Sequence, residues 1–393
     1  ATESTLEELK ALLETAGGTA VGMLLQARPA PDPHSFLGEG KVEELRQAVE
    51  ATGANMVIFD NDLSPSQIRT LEDMTGATVI DRSALILDIF AQRAKTREGR
   101  LQVELAQYQY LLPRLSGMGR SLSRQGGGIG TRGPGETRLE SDRRHIRTRI
   151  SRLQQELKEV RRVRGVQRQL REKNSVPVVA LIGYTNAGKS TLLNALTGAG
   201  IPANNRLFDT LDTTTRRLTV SDTLDVLLSD TVGFIAKLPH NLVEAFQATL
   251  EELQYADLLL HVIDASDPDR EAHMEVVEKL AAELAPQGVP IIEVYNKADL
   301  VEPQLIPIGE NRVAISASEG RGLDALLRRM EKNLDTGVKR VVLKLPYSAA
   351  GEVDRIHREG KVFSSEYEND GILVDAALSR EMQGRYRAYI QSE

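Results

Sequence analysis

The sequence of 393 residues contains no cysteine and no tryptophan, and aromatic residues make up only 4% of it. Without cysteine the chain can form no disulfide framework, thiolate zinc site or cysteine nucleophile. No apolar stretch approaches the ~18 residues that a membrane span requires, and the first 30 residues lack the basic start and apolar core of a signal peptide. These absences argue against a disulfide-rich or membrane-spanning protein and predict a cytoplasmic one.

Histidine is also sparse, and the charge is unevenly distributed. The six histidines show no HExxH-type spacing, so we do not expect a histidine-built metal site. The net charge is −7, yet residues 93–173 contain 21 lysines and arginines against 8 acidic residues. This basic segment concentrates positive potential and indicates contact with phosphate.

The pattern of strand-like and helix-like segments predicts a multidomain α/β protein. Strand-like TAVGMLLQ, ANMVIFD and ATVID alternate with helix-like segments, which indicates an N-terminal α/β unit with parallel strands. We place this unit at 1–82, a helical hairpin at 83–173, a second alternating α/β domain at 174–335, and a small α+β domain at 336–393 with a hairpin turn at Asp370–Gly371.

The hairpin is predicted from two apolar patterns on either side of a segment rich in glycine and arginine. Leu85, Leu101 and Leu112 belong to the first pattern, which we expect Pro113 to end. Ile146, Ile150, Leu153, Leu157 and Val160 recur at coiled-coil spacing in the second. Two helices flanking one loop indicate a long antiparallel hairpin with a Gly/Arg-rich tip.

The segment GYTNAGKS, residues 183–190, matches GxxxxGK[ST] between a β-branched run and a helical pattern. Gly183 and Gly188 let the backbone turn its N–H groups toward phosphate oxygens at a helix N-terminus. Lys189 is expected to reach the β- and γ-phosphates, and the Ser190 hydroxyl to bind Mg²⁺. This context favours a P-loop over a glycine-rich turn without a ligand.

Three further motifs follow in the order expected of a GTP-binding domain. In DTVG, Asp230 is expected to hold Mg²⁺ through water, and the Gly233 N–H to sense the γ-phosphate. NKAD follows a strand, and the Asp299 carboxylate can accept from both N1–H and the 2-amino group of guanine, a pair that adenine lacks. Ser316 and Ala317 begin SASEG, whose backbone N–H groups can meet the guanine oxygen.

The ordered set GYTNAGKS, DTLD, DTVGF, NKAD and SAS resembles a translation-factor-class P-loop GTPase, and its surroundings resemble the HflX family. The family likeness lies in GGGIGTRGPGETRLESDRR, LFDTLDTTTR and DTVGFIAKLPHNLVEAFQATLEE. It implies a Ras-like central domain, and it selects Thr210 among the threonines of LFDTLDTTTR as the third Mg²⁺ ligand beside Ser190 and Asp230. The predicted nucleotide-binding residues are Gly183, Tyr184, Thr185, Asn186, Ala187, Gly188, Lys189, Ser190, Thr191, Phe208, Asp209, Thr210, Leu211, Asp212, Asp230, Thr231, Val232, Gly233, Asn296, Lys297, Asp299, Ser316 and Ala317.

Two positions bear on the rate of hydrolysis. Phe234 stands where Ras-like GTPases have the glutamine that orients the attacking water, so we expect weak intrinsic activity that rises when a partner orders the switches. Asn186 leaves two alternatives open: binding of a K⁺ ion that acts like an arginine finger, or a hydrogen bond that shapes the loop. We favour the second, because we can place no switch ligands for the ion.

The resemblance implies a ribosome-binding GTPase that engages the large subunit near the peptidyl-transferase centre and separates stalled or stressed ribosomes. The basic hairpin is the expected RNA contact, by shape and phosphate recognition rather than aromatic stacking. Two alternatives remain: a GTP-gated RNA-binding factor for large-subunit assembly, and a signalling GTPase with a protein effector. We expect a monomer. The predicted RNA-binding residues are Arg120, Arg124, Arg132, Arg138, Arg143 and Arg144.

Overall fold

The structure is a computed structural model that describes residues 3–123, 134–172, 176–200, 207–208, 213–237, 253–334 and 337–391. The chain forms two compact units. The first comprises Ala1–Leu170 with Asn204–Asp212 and Val232–Leu250, and the second comprises Arg171–Ala203, Thr213–Thr231 and Glu251–Glu393. Within the described residues, no helix is both long and apolar enough to cross a membrane.

The first unit opens with a small α/β arrangement around two parallel strands. Its elements are α1 (Glu3–Thr15), α2 (Glu39–Thr52), β1 (Met56–Phe59), α3 (Pro65–Thr75) and β2 (Thr78–Asp81). Helix α3 begins where it does because Ser64 and Gln67 form a capping box in which each side chain bonds the other's backbone N–H. The apolar faces of α2 and α3 pack with the strands around Val42, Leu71 and Val79.

One strand predicted for this unit is absent. TAVGMLLQ forms no strand in the structure, so the prediction is wrong there. Val21, Met23 and Leu25 are exposed, at 57%, 48% and 39%, while Leu24 packs against the core. Alternation of inward and outward side chains is thus retained, but no ladder of backbone hydrogen bonds pairs this segment with β1 or β2.

The same unit continues into three helices: α4 (Arg82–Arg93), α5 (Arg97–Ser123) and α6 (Pro134–Glu172). Pro113 lies inside α5, so the prediction that it ends the helix is wrong, and the apolar pattern before it is divided between α4 and α5. A proline removes one backbone donor, but packing of a long helix can outweigh that loss.

Helices α5 and α6 form the predicted antiparallel hairpin. Leu101 and Leu105 of α5 pack against Leu153 and Leu157 of α6. Arg149 of α6 is 2.6 Å from Glu104 of α5, and Arg97 of α5 is 3.8 Å from Glu156 of α6. The residue numbers therefore rise along one helix while they fall along the other, which shows that the two helices are antiparallel. The apolar seam and the two ion pairs fix the register of the hairpin.

The second unit is built on a six-stranded sheet of order β4-β5-β3-β6-β7-β8. Only β4 runs antiparallel to its neighbour among these strands. Apolar side chains of β3, β5 and β6 are fully buried between the helices, as expected for parallel strands covered on both faces. The elements are β3 (Val178–Gly183), α7 (Lys189–Thr197), β4 (Thr214–Ser221), β5 (Leu224–Asp230), β6 (Leu258–Asp264), α8 (Arg270–Leu284), β7 (Ile291–Asn296), β8 (Arg312–Ala314) and α9 (Leu323–Asn333).

The C-terminal part of this unit has the predicted α+β arrangement. Its antiparallel sheet has the order β10-β11-β9. The turn between β10 and β11 consists of Asn369 and Asp370, one residue before the predicted pair, because Gly371 already pairs with Glu368. Leu343, Ile356 and Val374 are at the centre of its core. The elements are β9 (Lys339–Leu345), α10 (Gly351–Glu359), β10 (Lys361–Glu368), β11 (Gly371–Leu378) and α11 (Arg380–Arg385).

Candidate nucleotide-binding site

The predicted P-loop connects the end of β3 to the start of α7, at the carboxyl edge of the sheet where α/β proteins bind ligands. Gly188 has φ +95°, and a Cβ there would collide with the side-chain amide of Asn296. Asn186 is exposed and has φ +63°, a conformation that asparagine adopts more readily than most residues. The loop therefore requires glycine at 188 for both backbone conformation and space.

Lys189 is buried inside this loop. Its Nζ donates to the carbonyls of Gly183 at 3.0 Å and Tyr184 at 2.9 Å. Burial lowers the pKa of Lys189 to about 8, although the carboxylate of Asp230 opposes the shift. A phosphate beside this ammonium group would restore its charge, so the site is electrostatically suited to an anion.

Two oxygen donors meet beside Lys189. The Ser190 hydroxyl donates to Oδ2 of Asp230 at 2.7 Å. The next residue holds Asp230 in place: the Thr231 hydroxyl donates to the Leu181 carbonyl at 2.6 Å and fixes the end of β5 against β3. A hydroxyl and a carboxylate are ligands that Mg²⁺ accepts when substrate phosphates and waters complete its shell. Among the described residues, no group of three or more His, Asp or Glu side chains could hold a metal alone. The donor set therefore fits a Mg²⁺ ion bound together with a nucleotide.

Asn296 joins two loops on the other side of the site. Its Nδ2 donates to the Ala187 carbonyl at 2.9 Å, and its Oδ1 accepts from the Ala317 N–H at 3.0 Å. The next residue, Lys297, has φ +59°, and its Nζ is 2.6 Å from Oδ2 of Asp264. The buried amide thus holds the end of β7 to the P-loop, and the ion pair holds the ends of β6 and β7 together.

Asp299 and Ser316 are among the residues predicted to recognise the guanine base. A hydrogen bond from the Ser316 hydroxyl holds the pKa of the Asp299 carboxyl below its usual range, with further help from its own backbone N–H and from Arg321 and Lys297. Asp299 is therefore ionised near neutral pH and acts as an acceptor only. An acceptor of this kind is what the N1–H and 2-amino group of guanine require.

A contact that sequence reasoning missed lies behind the P-loop. The ring of Tyr184 stacks on the His273 ring of α8, with centroids 3.7 Å apart and planes at 10°. Nδ1 of His273 is 2.7 Å from Oδ2 of Asp267. Because the two rings are separated by the whole of β4, β5 and β6 in sequence, no local pattern connects them.

Three family profiles match in succession along the chain. Residues 3–91, 93–171 and 178–297 match the families described as "GTP-binding GTPase N-terminal", "GTP-binding GTPase Middle Region" and "50S ribosome-binding GTPase". A protein named GTPase HflX from Caldanaerobacter subterraneus subsp. tengcongensis is 51% identical over 391 residues, which cover 99% of this chain and 91% of the relative. The chain belongs to the HflX family of GTPases.

Other HflX proteins agree with this assignment. GTPase HflX of Escherichia coli (strain K12) is 46% identical over 372 residues, covering 93% of this chain and 87% of the relative. Among solved structures, a GTP-binding protein from Sulfolobus solfataricus in complex with GDP covers 85% of this chain and 96% of its own, with 24% identity and a TM-score of 0.44. As an HflX-family member the chain is a GTP hydrolase.

Part of the predicted site of this HflX protein lies in the first unit. Phe208 is buried, with φ +56°, whereas Asp209, Thr210, Leu211 and Asp212 lie outside the described residues. The roles given to those four residues remain predictions.

The segment after Asp230 and Thr231 is buried. Val232, Phe234 and Ile235 are 6%, 3% and 1% exposed. The Phe234 ring is therefore part of the protein interior. A phenyl ring at this position cannot orient water by hydrogen bonding.

Four of the six arginines predicted to bind RNA lie on the described part of the hairpin. Arg144 is exposed and Arg143 half-buried on α6, and the backbones of Arg120 and Arg138 lie in α5 and α6. Arg124 and Arg132 lie outside the described residues. These six RNA contacts stay predictions.

Proposed function

We propose that the site binds GTP with Mg²⁺ in the manner that its motifs indicate. Lys189 neutralises the β- and γ-phosphates, and Ser190, Asp230 and Thr210 contribute Mg²⁺ ligands. A Mg²⁺ ion held by these residues would supply charge neutralisation to the bound nucleotide. The position of Lys189, enclosed by the loop carbonyls and carrying a pKa of about 8, supports this role.

Guanine selection is assigned to the second half of the site. Asp299 accepts from the base, while Asn296 holds the P-loop and the segment beginning at Ser316 in one arrangement. Because the Ala317 N–H donates to Oδ1 of Asn296, the backbone N–H groups that follow it in SASEG are assigned to the guanine oxygen. An ATP molecule offers Asp299 no matching donor pair, so the chain selects GTP.

We further propose that the chain binds the large ribosomal subunit near the peptidyl-transferase centre and splits or rescues stalled ribosomes when GTP is bound. The observation that supports this output is the α5–α6 hairpin: a pair of helices packed along an apolar seam within the most basic segment of an acidic protein. Such a stalk carries exposed arginines such as Arg144 and suits phosphate contacts in structured RNA.

Hydrolysis in the free protein is proposed to be weak and to rise on the ribosome. Phe234 offers no hydrogen bond to water, and its ring is buried. The missing help must then come from the partner or from a rearrangement that the partner drives.

The deciding experiment measures steady-state GTP hydrolysis, with ATP as the control nucleotide, for the protein alone and with purified 50S subunits or 70S ribosomes. We expect strong stimulation by ribosomes and little ATP turnover. Stimulation by immature large subunits but not by 70S ribosomes would instead favour an assembly factor, and no stimulation would refute ribosome gating.

A charge-reversal pair tests the hairpin. Arg144→Glu, combined with Arg138→Glu, should weaken ribosome binding and make its dependence on salt shallower, because each arginine that no longer contacts phosphate means fewer counterions released on binding. Arg328→Glu on the exposed face of α9 is the matched control and should bind as the unmodified protein does. Unchanged binding by the hairpin variant would favour a protein effector that does not use this surface.

A further inference from the structure

An ion cluster lies where the two parallel strands of the N-terminal domain end. Asp60 directly follows β1, and Arg82 directly follows β2, so their side chains emerge at the same edge of the two-stranded sheet. Nη1 of Arg82 donates to Oδ1 of Asp60 at 2.8 Å, and Nη2 also bonds the carboxylate of Glu8 on α1. Arg82 and Asp60 are each 2% exposed at the side chain.

The segment that follows DTVG completes this cluster. Nη2 of Arg82 donates to the backbone carbonyl of Ala236 at 3.1 Å, and Nζ of Lys237 bonds Oδ2 of Asp60. Glu8 and Asp60 supply two negative charges, and Arg82 and Lys237 two positive ones, so the cluster is neutral only when the segment is in place. Removing one partner from a buried ion cluster leaves a poorly compensated charge. The free energy of the cluster therefore depends strongly on whether the segment is in its place.

The backbone of this segment also depends on the cluster. Lys237 has φ +54°, which a residue with a side chain adopts only when its surroundings compensate. The segment LFDT contacts the same domain through Phe208. Its ring packs edge-on against Phe90 of α4, with centroids 4.6 Å apart and planes at 77°. The domain thus binds residues of LFDT and of DTVGFIAK by two different kinds of contact.

We propose that Arg82 and Lys237, with Asp60 and Glu8, are positioning residues that transmit the nucleotide state of the GTPase to the N-terminal domain. Gly233 and Lys237 lie in one short segment, so a change at the γ-phosphate shifts the groups that the cluster holds. The coupling is reciprocal, because a segment held by the cluster changes the relative affinity for GTP and GDP. This inference rests on the proposed role of Gly233 at the γ-phosphate and does not depend on ribosome binding.

Lys237→Met is the variant of choice, since Lys237 is the most exposed member of the cluster and Arg82 keeps its bond to Asp60. Lys237→Arg retains the charge and serves as the conservative variant. Lys10→Met removes a comparable lysine, paired with Glu7 on the surface of α1, and is the matched control.

Hydrogen exchange of the full chain is measured with GDP and with a non-hydrolysable GTP analogue. We expect the two nucleotides to give different protection in α1 and in β1, and Lys237→Met to abolish that difference while the difference at α7 persists. Lys237→Arg and Lys10→Met should behave as the unmodified chain. The ratio of GTP-analogue to GDP affinity should change about fivefold or more in Lys237→Met.

Two results would overturn the proposal. One is an unmodified chain whose α1 and β1 exchange equally with either nucleotide. The other is a Lys237→Met variant that keeps both the nucleotide-dependent difference at α1 and the original affinity ratio. Persistence of the α7 difference shows in each case that the variant is folded and binds nucleotide.

Discussion

The amide of Asn296 offers a quantitative test of how the nucleotide site is held together. It is 3% exposed, and it satisfies the carbonyl of Ala187 and the N–H of Ala317, which belong to residues that are 2% and 5% exposed. Asn296→Ala leaves both backbone groups buried without this partner. An unsatisfied buried group costs about 1–3 kcal/mol, so two such groups cost about 2–6 kcal/mol in total.

This cost should appear partly in stability and partly in affinity, because bound nucleotide has to restore the order of both loops. We expect urea unfolding to show a loss of at least about 1 kcal/mol. We also expect a fluorescent GDP analogue to bind at least about tenfold more weakly, since 1.4 kcal/mol corresponds to a factor of ten.

Asn333→Ala is the matched control. Its Nδ2 bonds the Arg329 carbonyl at 2.9 Å and Oδ1 of Asn311 at 3.3 Å at a more exposed place, so water can replace it. If Asn296→Ala matched Asn333→Ala in both stability and GDP affinity, the reasoning about buried unsatisfied groups would be refuted.

Further predictions concern pH, cations and the switch. GTP affinity should fall as the pH rises through about 8, because phosphate requires charged Lys189; calorimetry in buffers of different ionisation heat should show proton uptake above that pH, and pH-independent affinity between 7 and 9 would contradict it. Burial lowers the pKa of His261 to about 4, so the unfolded chain binds more protons than the folded chain between about pH 6.5 and 4. The free energy of unfolding should therefore fall by roughly 3 kcal/mol as the pH falls through that window. His261→Gln should flatten this dependence of the unfolding free energy on pH. Equal hydrolysis in KCl and NaCl is expected if Asn186 only shapes the loop, and faster hydrolysis in KCl would favour the ion. Phe234→Gln should not accelerate hydrolysis without a partner, because it buries an amide in a site 3% exposed; a large acceleration would count against partner-supplied catalysis.

The elements that the sequence predicts well are those with local causes. The spacing of Ile150, Leu153 and Leu157 predicts the hairpin seam that the structure shows. The P-loop is predicted from Gly183 and Gly188, and the structure shows that both have a positive φ, which few other residue types adopt. In each case the physical reason lies within about one turn of helix or one loop, where sequence patterns are informative.

The features that were missed depend on contacts between distant segments. Pro113 is accommodated in α5, although local propensity would end the helix there. TAVGMLLQ alternates as a strand does, but strand formation also requires a partner ladder. The Tyr184–His273 stack and the Asp60–Arg82–Lys237 cluster join residues that only the tertiary fold brings together.

The length of α6 gives the hairpin the properties of a lever. Pro134–Glu172 has 39 residues, and at 1.5 Å per residue it extends for about 58 Å. A rotation of about 5° at the Glu172 end displaces the Pro134 end by about 5 Å, a distance comparable with the rise of one helical turn. Rearrangements too small to disturb the packing at one end of this arm would therefore suffice to displace the other end by about the pitch of an α-helix.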